Sequence, residues 1–190
     1  MERINVIGTS GSGKSTLSKQ LAAQLGYPYH EIDALFWKPN WTQTPDSELL
    51  DKIADITHQP YWVLDGNYSR TEPVKWQHVD TIIWVDYSFP RTFYQALKRA
   101  LSRWLSGKEL WPGTGNKETL GNLLLSKDSI LLWTLRNYAK NRRRYSALMQ
   151  SPDYPHIRFV RLRSPAETQA FLNAVQPDQH ADNKDASCSL

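Results

Sequence analysis

The run Gly8-Thr9-Ser10-Gly11-Ser12-Gly13-Lys14-Ser15-Thr16 constrains this chain more than any other feature. It matches G-x-x-x-x-G-K-[ST] in full, directly after an apolar segment over 3–7 and at the start of an amphipathic one over 15–25. A strand, a glycine turn and a helix N-terminus in that order form a cradle for phosphate. Gly8, Gly11 and Gly13 let the backbone turn and approach an anion closely. Successive backbone N–H groups along Ser10, Ser12 and Thr16, with the helix N-terminus, then hold the anion. Lys14 brings a compact positive charge to the β and γ oxygens of a nucleoside triphosphate. Ser15 offers a hydroxyl ligand to Mg²⁺. The expected ligands are ATP and Mg²⁺.

Apolar runs rich in β-branched and aromatic residues alternate with helical periodicity along the chain. Strands are predicted over 3–7, 29–32, 61–64, 81–85 and 157–162, and helices over 15–25, 46–58, 90–105, 130–149 and 165–175. Leu17, Leu21, Ala22 and Leu25 share one face of the first helix, and Gly26 supplies its stop. This alternation predicts an α/β fold of three layers, with a mostly parallel sheet covered on both faces. Ligands of such sheets bind at the carboxyl ends of the strands. A length of 190 residues suits one domain, taken as 1–175, with a flexible polar tail over 176–190. Gly107, Pro112, Gly113, Gly115 and Gly121 punctuate the stretch between the two long helices, read as a lid over about 104–135.

Composition narrows the setting. The sole cysteine, Cys188, excludes a disulfide framework and fits a reducing cytoplasm. No apolar run is long enough to span a bilayer, so no membrane partner is expected. The net charge of +4 hides an asymmetry: residues 91–163 hold 15 Lys/Arg against 4 Asp/Glu, whereas residues 1–90 hold 7 against 11. A basic block of that kind attracts the phosphates of a nucleotide, a nucleic acid or an anionic membrane.

Phosphate chemistry needs a carboxylate for the hydrated metal. Two predicted strands end in aspartate, at Asp65 and Asp86. Asp65 heads Asp65-Gly66-Asn67-Tyr68, where glycine permits close ligand approach, and is taken as the metal carboxylate. Asp86 reads equally well as an anchor for the loop and helix that follow. Asp33 ends the second strand and suits a hydrogen bond from an acceptor's hydroxyl. Glu31 and His30 beside it carry weaker expectations. Phe36, Trp37 and Trp41 form an aromatic group that either stacks on a base or packs on itself. Lys98 or Arg99, with Arg103, lies one turn apart on one helix, and Arg136, Lys140 and Arg143 or Arg144 share a face of another. Around a glycine-rich segment they suit a lid that neutralises a moving γ-phosphoryl group and excludes water. A solvated face or a nucleic-acid patch are the alternatives. Arg163 follows the fifth strand, where it either stacks on a purine or stands in solvent.

Taken together, these residues resemble the adenylate-kinase-like P-loop kinases. Within that group the chain is similar to the FlaR-type proteins, called DNA topology modulation proteins. The similarity runs through Ile32-Asp33-Ala34-Leu35-Phe36-Trp37-Lys38-Pro39-Asn40-Trp41, Leu64-Asp65-Gly66-Asn67-Tyr68, Asp80-Thr81-Ile82-Ile83-Trp84-Val85-Asp86 and Arg161-Leu162-Arg163-Ser164. It covers roughly residues 1–175. The resemblance implies a five-stranded parallel sheet in order 2-3-1-4-5, a substrate region after strand two and a helical lid after strand four. It also implies that Asp65 works near Mg²⁺ and that Arg99, Arg103, Arg136 and Arg143 contact phosphates. One departure is local. Adenylate kinases carry D-G-F-P-R, where this chain has Asp65-Gly66-Asn67-Tyr68-Ser69 and places Arg70 one position later. The expected activity is transfer of the γ-phosphoryl group of MgATP to a nucleotide or a hydroxylated metabolite. The alternative is a regulatory P-loop ATPase associated with DNA, although nothing here resembles a helix-turn-helix. The sequence carries no signal for an oligomeric state.

Overall fold

The computed structural model describes residues 1–118 and 130–176. Along it run β1 (Arg3–Gly8), α1 (Lys14–Leu25), β2 (Tyr29–Glu31), α2 (Ile32–Phe36), β3 (Trp37–Lys38), β4 (Thr42–Gln43), α3 (Asp46–Thr57), β5 (Trp62–Asp65), α4 (Glu72–His78), β6 (Thr81–Val85), α5 (Phe89–Ser106), α6 (Ile130–Leu148), β7 (Arg158–Leu162) and α7 (Pro165–Ala174). The part of the expected lid over 119–129, with Gly121, lies outside the described residues, as does the tail from 177 with Cys188.

β1 is buried from Ile4 onward, so both its edges need strand partners and both its faces need cover. β5 and β6 pair with it in parallel, and β2 and β7 complete a five-stranded sheet in order β2-β5-β1-β6-β7. The expected order 2-3-1-4-5 counted the long strands alone. The numbering differs because a two-stranded antiparallel hairpin, β3-β4, enters after the second strand.

Side chains alternate across the sheet with the strand period of two. Trp62, Leu64, Ile82 and Trp84 face one layer, where Leu49 and Ile53 of α3, Trp76 of α4 and Tyr145 of α6 meet them. Ile4, Val6, Val63, Ile83 and Val85 face the other, against Leu17, Leu21 and Leu25 of α1 and Leu172 of α7. Gly26 caps α1 at φ 72°, the left-handed stop its position called for. α2 and α4 were not anticipated. Both are too short to show a full apolar period, and α4 places Lys75 on its buried face. Among the described residues, no helix is long and apolar enough to cross a membrane.

Ile82 sits in β6 with no exposure. Ile82→Ala is expected to cost about 2–5 kcal/mol through lost burial and a residual cavity. Urea unfolding checks it: the midpoint falls and the m value stays constant.

Candidate functional site

The loop after β1 lies against α5. Gly11 and Gly13 adopt φ of 81° and 95°, which L side chains rarely take. A Cβ at Gly11 would come within 2.6 Å of the Thr92 carbonyl oxygen and 2.7 Å of the Ala96 nitrogen. Glycine there is what lets the loop seat on α5. Gly13 begins α1 with no side-chain cap and no acid in the first turn, so the first N–H groups and the positive end of the helix dipole stay open to an anion. Lys14 and Ser15 are half-buried at this end, and Thr16 is exposed. The Ser12 N–H donates to the Thr9 carbonyl at 3.0 Å. Ser12 Oγ is buried without a partner among the described residues. Ser10 Oγ accepts from the Arg99 guanidinium at 2.5 Å.

Parallel register brings acids to the same level. Asp65 pairs across to Val6 of β1 on one side and Glu31 of β2 on the other. Asp65 is 2% exposed. Its Oδ2 accepts from the Tyr29 hydroxyl at 3.2 Å, while its Oδ1 is buried with no partner among the described residues. A buried carboxylate oxygen without a donor is costly unless a cation or its water faces it. This orphan oxygen, beside a phosphate cradle that carries Ser15, fits a hydrated Mg²⁺.

Asp33, in the first turn of α2, accepts from the Tyr68 hydroxyl at 2.7 Å through Oδ1. Burial raises the pKa of Glu31, and the charges of Asp33 and Asp65 raise it further. Glu31 accepts from the Tyr29 hydroxyl and from Trp111 Nε1, both at 3.4 Å. His30 Nε2 is buried without a partner among the described residues. Tyr29 and Tyr68 both have raised pKa values, first through burial and then through these acids, so both remain donors at neutral pH.

The aromatic group meets the acids through Trp111, whose Nε1 donates to Glu31. Trp37, Trp41 and Trp111 pack with ring centroids 5.5–6.4 Å apart. Asn116 ties the hairpin down, accepting from the Trp41 N–H at 2.9 Å and donating to the Lys38 carbonyl at 3.0 Å. Trp41 holds φ 56°, a conformation unfavourable for a bulky residue, and Asn116 is the contact that fixes it. The aromatic group therefore packs on itself, joined by Trp111 from the segment after α5.

The basic residues divide. Arg99 is pushed down in pKa by burial and then by Arg103, and it lies in the field of Asp33, Glu118 and Asp65. Arg103 shares that cluster with Glu118, whose pKa burial raises. Arg136 and Arg143 are exposed on α6, and no hydrogen bond or ion pair to another described residue carries them into the cluster. Arg142 of that helix reaches Asp86 at 3.3 Å, where Arg161 Nε also donates at 2.9 Å. Asp86 is thus an ion-paired anchor. Arg163 is exposed, and its backbone N–H donates to Glu167. Arg70 pairs with Asp46 at 2.5 Å on the surface.

Two residues that sequence reasoning passed over support the loop after β5. Asn67 brackets Gly8, and Lys75 is fully buried beneath it. Asn67 was visible only as part of a run. Lys75 sits between Val74 and Trp76 in an unanticipated helix, so its burial left no signal.

No protein-family model matches this chain, and no curated protein matches it. Solved structures do. A shikimate kinase from Acinetobacter baumannii, in complex with shikimate, is 14% identical with a TM-score of 0.57, covering 91% of this chain and 89% of that one. A shikimate kinase from Bacteroides thetaiotaomicron is 13% identical with a TM-score of 0.50, covering 90% and 94%. A gluconokinase from Sinorhizobium meliloti 1021 is 19% identical with a TM-score of 0.48, covering 90% and 91%. The chain shares the α/β fold of the shikimate kinases over nearly its whole described length.

Burial pushes the Lys75 ammonium down to about 7 from its ordinary 10.5. Between those values the unfolded chain holds the extra proton, so Lys75 makes stability rise with pH across that window. Thermal unfolding between pH 7.5 and 9.5 checks the sign. The wild type is expected to gain relative to Lys75→Met as pH rises; parallel curves would contradict it.

Proposed function

We propose that this chain is a P-loop phosphotransferase that moves the γ-phosphoryl group of MgATP to the hydroxyl of a small metabolite. Arg99 carries this reading. Its guanidinium reaches Ser10 of the phosphate loop at 2.5 Å and lies in the field of Asp33 and Asp65. A half-buried cation between a phosphate cradle and an acceptor-side carboxylate suits the charge that spreads during phosphoryl transfer. The fold, shared with structures of shikimate kinase, one in complex with shikimate, agrees with a small-molecule acceptor.

In this reading the loop amides and Lys14 hold the triphosphate. Ser15 and Asp65 hold Mg²⁺, which when bound supplies positive charge to the β and γ oxygens. Asp33 orients the acceptor hydroxyl and takes its proton as the oxygen bonds to γ-phosphorus. The bridging oxygen leaves with ADP. Arg99 and Arg103 stabilise the charge between them. Glu31 and Asp33 place negative charge on the acceptor side, which favours a neutral hydroxyl over a phosphate monoester. A hydroxylated metabolite therefore fits better than a nucleotide acceptor. Contacts from Arg136 and Arg143 to phosphate, and from Arg163 to the base, belong to this reading. So do the single domain over 1–175, the lid, the cytoplasmic setting and the FlaR-type likeness.

The test is transfer of label from γ-labelled ATP across a panel of hydroxylated metabolites, nucleosides and nucleoside monophosphates, with free phosphate counted in parallel. A labelled metabolite is expected, and Lys14→Ala should abolish it. Asp33→Asn should lower kcat by about 10²–10⁴ with the KM for ATP little changed. Free phosphate alone, at a rate that DNA alters, would replace this reading with a DNA-associated regulatory ATPase.

A further inference from the structure

We propose that Lys75 is a positioning residue for the phosphate loop, acting through the Gly66–Asn67 backbone and the Asn67 amide on Gly8. The inference rests on reading 8–16 as a nucleotide phosphate site.

The pairing of β5 with β1 ends where the Gly66 N–H donates to the Val6 carbonyl at 3.1 Å. The two chains then part. The Asn67 side chain continues the pairing in place of backbone. Its Oδ1 accepts from the Gly8 N–H at 2.9 Å, and its Nδ2 donates to the Gly8 carbonyl at 2.8 Å. Gly8 is the first residue of the phosphate loop, so this two-way clamp sets where the loop begins.

A side-chain clamp is only as fixed as the backbone that carries it. That backbone is held from the core. Lys75 Nζ donates to the Gly66 carbonyl at 3.3 Å and to the Asn67 carbonyl at 3.0 Å. Asn5 Nδ2 donates to the Gly66 carbonyl at 3.2 Å, and Asn5 Oδ1 accepts from Trp76 Nε1 at 3.2 Å. Lys75 has no exposure and forms no ion pair with a described residue. Glu72, one turn earlier on α4, is engaged by Arg144 of α6, and Tyr145 of α6 is buried in the same layer. An unpaired lysine in such a place is a poor choice for packing alone, where an apolar side chain of equal length would cost less. Its contacts are those of a strap: it draws both carbonyls into the core and leaves the Asn67 amide aimed at Gly8.

The experiment has two arms, each run on the wild type, Lys75→Met, Asn67→Ala and the double variant. In nucleotide-free protein, amide hydrogen exchange at Gly8 is followed by NMR. Exchange is expected to rise about tenfold or more in both single variants. In the second arm MgADP is titrated by calorimetry. The Kd is expected to rise about tenfold in each single variant, without a matching fall in Tm. The double variant should be no worse than Asn67→Ala, because both act through one clamp. Lys75→Gln, which keeps an uncharged N–H donor on a shorter side chain, should fall between the wild type and Lys75→Met in both arms. It also carries the comparison if Lys75→Met does not fold. Unchanged Gly8 exchange in Lys75→Met, or losses that simply multiply in the double variant, would overturn the proposal. A wild type that binds no MgADP, with Gly8 exchange still governed by Lys75, would sink the nucleotide reading and leave the strap standing.

Discussion

The site depends on the parallel pairing of β1 between β5 and β6. That register sets Val6 beside Asp65, and Asp65 beside Glu31. The phosphate loop and the acids therefore leave the sheet at one level, on one edge. Carboxyl ends of parallel strands are where such sheets bind ligands, because the loops there diverge and expose backbone groups. Here the divergence after β5 is also the point at which Asn67 takes over from the ladder.

The same edge carries features that an unconstrained fold would avoid. Asp65 holds a buried oxygen without a donor. Glu31 is raised in pKa by burial and by neighbouring acids. Arg99 is half-buried beside a second arginine. Trp41 takes a left-handed backbone conformation. Each feature costs stability on its own. Asp65, Glu31 and Arg99 gather beside the phosphate loop, and Trp41 meets Glu31 through Trp111. Local rules broken together in one region mark a working surface. The two apolar layers, by contrast, follow the period-two rule along β1, β5 and β6.

Much of this was legible in the sequence. The phosphate loop needed only a contiguous run of residues and its strand–helix context. The five parallel strands and five of the helices followed from apolar periodicity. Asp65 stood out as an acid at a strand end. Asp33 stood out in the same way, but the strand stops at Glu31 and Asp33 falls in the first turn of α2, because the chain turns into a helix at Ile32, earlier than the apolar run suggests. Less local features were not legible. α4 is one short turn pair, so its period is hidden. The packing of Trp111 and Asn116 on the β3–β4 hairpin joins residues seventy to eighty positions apart. Helical phase alone did not tell which arginines face the acids. Arg99 does, whereas Arg136 and Arg143 lie on the exposed side of α6 and Arg142 turns to Asp86.

The most direct test of the central claim is a crystal structure with a non-hydrolysable ATP analogue and Mg²⁺. The account predicts the β and γ phosphates on the amides of residues 8–16, with the metal reached by Ser15 Oγ and, directly or through water, by Asp65 Oδ1. Phosphates bound elsewhere, or a metal shell that Asp65 does not touch, would contradict it.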